Sequence, residues 1–299
     1  MEFVRIKSVI TWSAISFVGF IVGMSSLVFS SYILPLLVFF VSTFFIMSLT
    51  FALNNYYDID TDKENPRRKN SNALASGKIS KQTGVFLILT FIIIPSVVTI
   101  LFKFEVFLFC VFLLFLAWAY SAPPFRLKGR PVMDIIVHFV GFFSYVLWGS
   151  LIAGSLGLIT WLIAISIGVW STIGQISNHI KDYSFDKESK TTTFTVWIGL
   201  HKSKITIEIL VVFHLILLIP LVVLYSLSYV YTIFIIIGIP IVGFLLLKPK
   251  TGAFPTHQSF TYYFTIVVGG AVYISCLIYQ ICFLLGWPTI GFLHFIGVS

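Results

Sequence analysis

Apolar residues run along this chain in long blocks, and polar positions are confined to the short intervals between them. Blocks of about 20 apolar residues have the length needed to cross a hydrocarbon layer. Nine such spans can be read, at approximately 8–30, 32–54, 82–101, 106–119, 132–154, 158–180, 205–225, 229–247 and 261–285. Backbone polar groups in lipid must be satisfied within their own segment, so the blocks predict helices. The fourth is the shortest, and only Lys103, Phe104 and Glu105 separate it from the third. Trp287-Pro288 is read as the end of the last helix, with an interfacial tail from Thr289 to Ser299. The expected fold is all-α, a polytopic bundle of about nine membrane helices forming a single transmembrane domain over residues 1–299.

Composition strengthens this reading. The chain is 58% hydrophobic and only 10% charged, against roughly 25% charged in ordinary soluble domains, so most of its surface must face lipid. The first apolar run is too long for a cleavable leader and no small-residue cleavage site follows it, so a retained first span is expected. Cys110, Cys276 and Cys282 lie in apolar segments without metal-like spacing and are read as small core or lipid-facing residues.

Charge placement orients the bundle. With nine spans, the N-terminus and the loops after the second, fourth, sixth and eighth share one side. Of the 19 Lys and Arg residues, only Lys103 falls on the other. That asymmetry predicts a cytoplasmic N-terminus and cytoplasmic loops, on a face that attracts anionic substrates and lipid headgroups. Topology thus accounts for the net charge of +8, and no nucleic-acid partner is expected.

The polar intervals carry the chemistry. Asn-x-x-x-Asp-x-x-x-Asp occurs twice, as Asn54, Asp58 and Asp62 and as Asn178, Asp182 and Asp186. Four-residue spacing would align each set along one helix face as a ladder of oxygens. Carboxylates are costly near membrane depth, yet both ladders terminate strongly apolar spans. Two converging oxygen ladders suit a hard cation such as Mg2+ that must also hold a phosphate. Asp58, Asp60 and Asp62 also alternate as in a calcium-binding EF-hand loop, but Lys63 stands where that loop needs Gly and Lys69 where it needs Glu. Each ladder follows an even-numbered span, which suggests two units of related design.

Basic and hydroxyl residues accompany the acids. Arg67, Arg68 and Lys69 follow the first ladder, and an acid–base mixture of this kind suits a diphosphate, with topogenic charge as the plain alternative. In the second loop Pro123 and Pro124 end the fourth helix and favour an extended segment that could hold Arg126 and Lys128 toward the site, with Tyr120 and Ser121 as hydroxyl donors. His179 flanks the second ladder off its face. Asp134 and His138 form an i, i+4 pair near the start of the fifth span, read as an inter-helix polar contact or as an acceptor-side catalytic pair.

On these residues the chain resembles the UbiA superfamily of intramembrane prenyltransferases. That family's first motif, Asn-Asp-x-x-Asp-x-x-x-Asp, is matched by Asn54, Asn55, Asp58 and Asp62, with Asn55 in place of an Asp. The second, Asp-x-x-x-Asp, is matched by Asp182 and Asp186. A Tyr-Ser-x-x-Pro-x-x-Leu-Lys segment is matched by Tyr120, Ser121, Pro124, Leu127 and Lys128. The family often has Arg-Pro-Leu-x-Ser-Gly after the first motif, whereas this chain reads Asn72-Ala73-Leu74-Ala75-Ser76-Gly77; Arg67, Arg68 or Lys69 is left to replace the missing Arg. The resemblance implies transfer of a polyprenyl group from its diphosphate to a lipophilic acceptor through an allylic carbocation. Mg2+ would be held by Asp58, Asp62, Asp182 and Asp186 with Asn54 and Asn178 assisting. Arg67, Arg68, Lys128 and Tyr120 would stabilise the leaving diphosphate. Family acceptors include quinone precursors, tetrapyrroles, glycerol lipids and carotenoids, and the motifs do not choose among them.

Two other classes compete. A transporter for an anionic or divalent ion would need ionisable groups near the bilayer midplane and access from both sides, whereas the charge here lies on one face. An alcohol phosphatidyltransferase would need a compact Asp-x-x-Asp-Gly motif with a nearby Ala-Arg, which the chain lacks.

Overall fold

The computed structural model describes residues 3–64, 66–188, 191–225 and 257–286, with the side chains of 66–68, 257–264 and 266 outside that description. All regular structure among the described residues is helical. The long helices are α1 (Ile6–Val22), α2 (Ile33–Tyr57), α5 (Lys81–Phe102), α6 (Phe104–Ser121), α7 (Pro131–Ala153), α8 (Leu158–Lys181), α11 (Leu200–Tyr225) and α12 (His257–Leu284). Short helices fill the polar loops: α3 (Ile59–Glu64), α4 (Pro66–Ser71), α9 (Tyr183–Glu188) and α10 (Phe194–Ile198). Eight of the nine expected spans therefore coincide with helices, and the one at 229–247 lies outside the described residues, as does the tail from 289 to 299. Among the described residues, seven helices are long and apolar enough to cross a membrane, and α1, at 17 residues, is shorter.

The first span ends earlier than its apolar run. Helix α1 stops at Val22, and residues 23–28 turn aside before a 3₁₀ turn (Phe29–Tyr32) leads into α2. Tyr32 captures this stretch, its hydroxyl accepting from the backbone N–H groups of Ser25 (2.8 Å) and Ser26 (3.3 Å). Gln280 of α12 donates to the Met24 carbonyl at 3.0 Å. Hydropathy sees a continuous block there because it registers composition, not backbone partners. At the next expected weak point the chain behaves as read: Lys103 alone, extended, joins α5 to α6.

Two groups of helices make the bundle. Helices α2, α5 and α6 pack together on one side, and α8, α11 and α12 on the other, with α1 and α7 between them. The α1–α7 seam is made by small residues. A Cβ on Gly19 would run into the Val146 carbonyl, one on Gly149 into the Ser16 carbonyl, and one on Gly23 would come within 2.6 Å of the Ser150 Cα. Close backbone approach of this kind replaces the hydrophobic drive that lipid cannot supply. Outward faces are bare apolar surface, as at Phe86, Ile93 and Leu101 of α5 and Ile209, Val212 and Ile216 of α11. Gly154, at φ 114, ends α7 in a conformation that favours glycine. The result is an integral, multi-pass architecture whose polar loops gather at one end.

Candidate active site

The first ladder does not lie on one continuous helix, contrary to the expectation from spacing. Helix α2 ends at Tyr57, and Asp58 sits just beyond it at φ −104, ψ 9 before α3 begins. Four-residue backbone hydrogen bonding nevertheless carries across the break, from the Asp58 N–H to the Asn54 carbonyl (3.1 Å) and from Asp62 to Asp58 (2.8 Å). The second ladder repeats the device. Helix α8 ends at Lys181, Asp182 stands at φ −94, ψ 4, and Asp182 and Asp186 donate to the Asn178 and Asp182 carbonyls at 3.0 and 2.8 Å. Burial follows the same order in both, the last Asp being the most enclosed: Asp62 and Asp186 are buried, whereas Asp58 is partly open and Asp182 exposed. An aspartate favours such a break because it competes with the helical backbone for its own polar neighbours. The two halves are thus built alike at their polar ends.

The second loop closes over the first ladder. After α6 ends at Ser121, Ala122 is extended, the Pro123–Pro124 bond is cis, Arg126 takes a left-handed conformation, and Leu127–Gly129 form a 3₁₀ turn. Lys128 Nζ then donates to Asp58 Oδ2 at 2.6 Å and to Asn54 Oδ1 at 2.9 Å. Arg126 Nη2 reaches Asp58 Oδ1 at 3.3 Å. The Lys128 side chain is 14% exposed and the Arg126 side chain 47%, so the lysine contact carries most of the pairing. Burial pulls the Lys128 ammonium below its usual pKa, while the Asp58 carboxylate pushes it back up.

Asn72, where the family pattern has Arg, is fully buried and holds the other end of the first ladder. Its Nδ2 donates to Asp62 Oδ2 at 2.9 Å and to the Asn55 carbonyl at 2.8 Å, while its Oδ1 accepts from the backbone of Leu74 (3.0 Å) and Ala75 (3.3 Å). Asn55, the other departure, is also fully buried and ties in the N-terminus, donating to the Phe3 carbonyl (2.8 Å) and accepting from Arg5 Nη2 (3.2 Å). Neither role is visible in a one-dimensional pattern, because both depend on segments that meet only in the fold. Lys69 is exposed on α4, and the side chains of Arg67 and Arg68 lie outside the described residues. Ser121 is fully buried, and its hydroxyl has no hydrogen bond among the described residues.

Beneath the ladders lies a cavity of about 250 Å³ enclosed by α1, α2, α6, α7 and α8. Its upper wall is polar, with Asn54, Tyr120, His138 and Gln175; deeper down it is aromatic, with Trp12, Phe51, Phe142 and Tyr145. Trp12 packs on Phe51 and edge-on to Phe142 at 4.8 and 5.2 Å. The Arg5 guanidinium sits over Phe51 at 5.8 Å. Asn54 from the first ladder's helix and Gln175 from the second's therefore face one space. Of the Asp134 and His138 pair, Asp134 makes an inter-helix polar contact, its Oδ2 accepting from His179 Nε2 (3.0 Å) and Gln175 Nε2 (2.9 Å) across the α7–α8 interface, while His138 lines the cavity. The i, i+4 signal on α8 joining Gln175 to His179 was available in the sequence, but its partner on α7 was not. Among the described residues, no three His, Cys, Asp or Glu side chains converge as a ready metal cluster; Asp58 is engaged by cations and Asp62 by Asn72.

The model of the UbiA prenyltransferase family matches residues 13–253. The chain belongs to that family. It is 29% identical over 153 residues to a lycopene elongase/hydratase of Corynebacterium glutamicum, covering 50% of this chain and 53% of that protein, so it spans about half the length of the curated relatives it matches. A UbiA homologue from Archaeoglobus fulgidus, solved with DMAPP and Mg2+, superposes with a TM-score of 0.67 at 20% identity, over 95% of this chain and 98% of that one. An apo UbiA homologue from Aeropyrum pernix gives 0.67 at 18%, over 91% and 98%. A structure concerned with digeranylgeranylglyceryl phosphate synthase in membranes gives 0.69 at 21%, over 94% and 96%. At these identities the structural likeness is one of fold. Membership places this chain with the UbiA prenyltransferase family rather than with the transporters or alcohol phosphatidyltransferases weighed from its sequence.

Proposed function

We propose that this UbiA protein transfers a prenyl group from an allylic diphosphate to a lipophilic acceptor inside the bilayer, with the diphosphate held between the two ladders. One observation carries this reading: an aromatic cavity among the apolar helices has Asn54 in its polar wall, and Asn54 is held by Lys128 of the Asp58–Lys128–Arg126 cluster. An allylic diphosphate has that same division, a multiply charged head on an apolar tail.

The donor set suits Mg2+. Asn54, Asp58, Asp62, Asn178, Asp182 and Asp186 offer only oxygen atoms, which hard cations take, and the buried carboxylates need compensation. Asp58, Asp62, Asp182 and Asp186 would hold the ion, with the two asparagines assisting. When bound, Mg2+ would neutralise the diphosphate and polarise the bond to the leaving oxygen.

The chain's own residues do the rest. Lys128 and Arg126, poised on Asp58, transfer their donors to phosphate oxygens as the head arrives, so the growing charge on the leaving group meets fixed cations. Tyr120 lines the wall below. The faces of Trp12, Phe51, Phe142 and Tyr145 surround the tail and stabilise an allylic cation by cation–π attraction, typically about 0.5–2 kcal/mol per ring. Exclusion of water by this lining protects the cation from capture. We further assign the ladders to the cytoplasmic face, on the strength of the basic loops around them, and treat residues 1–299 as one domain.

Labelled DMAPP supplied to the purified chain in lipid nanodiscs, with and without Mg2+, tests the reading. Lycopene, a hydroxybenzoate and a glycerol lipid form the acceptor panel. Mg2+-dependent diphosphate release that is lost in Asp58→Ala and Asp182→Ala is the expected result. Release that persists unchanged in both variants would sink the site assignment.

A further inference from the structure

The cavity raises a question that the ladders do not answer: where the proton goes. When an allylic carbon bonds to an unsaturated or aromatic acceptor carbon, the adduct is a cation that must shed a proton to restore its π system. Every group in the ladders and the second loop addresses the diphosphate at the other end of the reacting bond. We propose that His138 is the proton acceptor of this cavity. The assignment rests on the prenyl-transfer reading and deepens it.

Three observations place it there. The first is chemical. Among the described residues lining the cavity, the polar side chains are Arg5, Trp12, Thr50, Asn54, Tyr120, His138, Tyr145 and Gln175. An imidazole is the one side chain in that set that accepts a proton readily near neutral pH.

The second is positional. His138 lies about two helical turns, or about 10 Å, below the N-terminus of α7 at Pro131. It sits where the polar lining of Asn54, Tyr120 and Gln175 gives way to the rings of Phe142, Tyr145 and Trp12. The reacting carbon of an allylic diphosphate is bonded directly to the head group, so it occupies this same boundary.

The third is electrostatic. No side-chain hydrogen bond engages either ring nitrogen of His138 among the described residues. Its ring is instead held by aromatic neighbours, Tyr120 at 5.6 Å and Phe142 at 6.2 Å. One turn away on the same helix is Asp134, 2% exposed, with Oδ2 committed to His179 and Gln175 and Oδ1 without a hydrogen bond. The groups facing His138 are thus Asp134 on its own helix, His179 on α8 and Tyr120 on α6, with Arg5 on the far wall. Asp134 thus stands one turn away as an anionic counter-group for the imidazolium that forms when the proton arrives.

The step balances simply. The C–O bond to the diphosphate breaks and its electron pair leaves with the diphosphate. The acceptor's π electrons form the new C–C bond. The adjacent C–H pair then restores the double bond, and the proton passes to a ring nitrogen of His138. Without an acceptor the same base acts on the donor itself: the dimethylallyl cation loses a methyl proton to give isoprene, or meets water to give an alcohol.

That partition makes the test independent of the unknown acceptor. The full chain in nanodiscs is given DMAPP and Mg2+ alone, and diphosphate, isoprene and alcohol are quantified for wild type, His138→Gln and His138→Ala. DMAPP binding is measured in parallel, since a collapsed cavity would lose it. The expected result is an isoprene-to-alcohol ratio at least tenfold lower in both variants, recovering in His138→Ala when imidazole is added. A merely structural role would change the total yield and leave the ratio where it was. Diphosphate release with an unchanged ratio, or with no isoprene from wild type, overturns the assignment of His138. Absence of diphosphate release from wild type overturns the prenyl-transfer reading on which it rests, and this assignment with it.

Discussion

Asn72→Ala removes one side chain and disturbs four partners. The Nδ2 group supplies Asp62 Oδ2 at 2.9 Å and the Asn55 carbonyl at 2.8 Å, and the Oδ1 atom serves the Leu74 and Ala75 amides. Asp62 is only 4% exposed and Asn72 is fully buried, so water has little room to replace what is lost. A hydrogen bond to a charged group contributes about 1.5–3 kcal/mol, and each buried backbone group left unsatisfied costs about 1–3 kcal/mol. These terms overlap because the loop at Asn72–Ser76 can relax, and a net loss of about 3 kcal/mol follows. At about 1.4 kcal/mol per tenfold, that is roughly a hundredfold shift toward the unfolded or locally opened state. Thermal unfolding in detergent should show an earlier transition for Asn72→Ala, and Mg2+ should protect this variant less than wild type because Asp62 is no longer positioned. Asn72→Asp should be worse, since it sets a second carboxylate against Asp62. An Asn72→Ala protein with wild-type melting and wild-type Mg2+ protection would refute the reasoning.

Other consequences are equally direct. Lys128→Met should weaken DMAPP binding, measured by equilibrium titration, by about tenfold or more, since a buried charge-assisted contact is worth about 1.5–3 kcal/mol. Arg126→Met should have a smaller effect, because that side chain is half exposed and its contact is 3.3 Å. Gly149→Val should prevent α1 and α7 from meeting, and its yield of folded protein by size-exclusion chromatography should fall sharply, whereas a side chain at Gly141, where a Cβ has open space, should be tolerated. Because Gly141 lines the cavity, Gly141→Phe should keep the melting temperature while reducing turnover of long prenyl diphosphates more than that of DMAPP.

Much of the architecture could be read from the chain because lipid imposes a single simple rule, that apolar blocks of sufficient length become helices. The rule misplaced the end of α1, where Tyr32 and Gln280 take over backbone groups that hydropathy does not register. Spacing found both ladders because four-residue periodicity survives in the backbone hydrogen bonds across Asp58 and Asp182. It missed the helix breaks themselves, which depend on local dihedrals. The roles of Asn55, Asn72 and the Asp134–His179 contact stayed hidden for a different reason: each joins segments distant in sequence, and a lone chain carries no signal of their meeting. Asn72 shows this most clearly. As a motif it reads as a missing Arg, and in space it is the residue that steadies Asp62.

The two helix breaks have an electrical consequence beyond their side chains. Helices α2, α6 and α8 each finish near the mouth of the cavity, at Tyr57, Ser121 and Lys181. Some of the last carbonyls are taken up locally, Asn54 by the Asp58 N–H, Trp118 by the Ala122 N–H, Asn178 by the Asp182 N–H and Asn55 by Asn72, and the aligned dipoles still present partial negative charge there. Three such termini bias this corner toward cations before any carboxylate is counted. Lys128 and Arg126 answer that field through Asp58, and on the proposed reading an arriving metal–diphosphate complex would have to displace them. The second loop would then act as a resident counter-ion, and how tightly it grips would set the threshold a substrate has to exceed to enter.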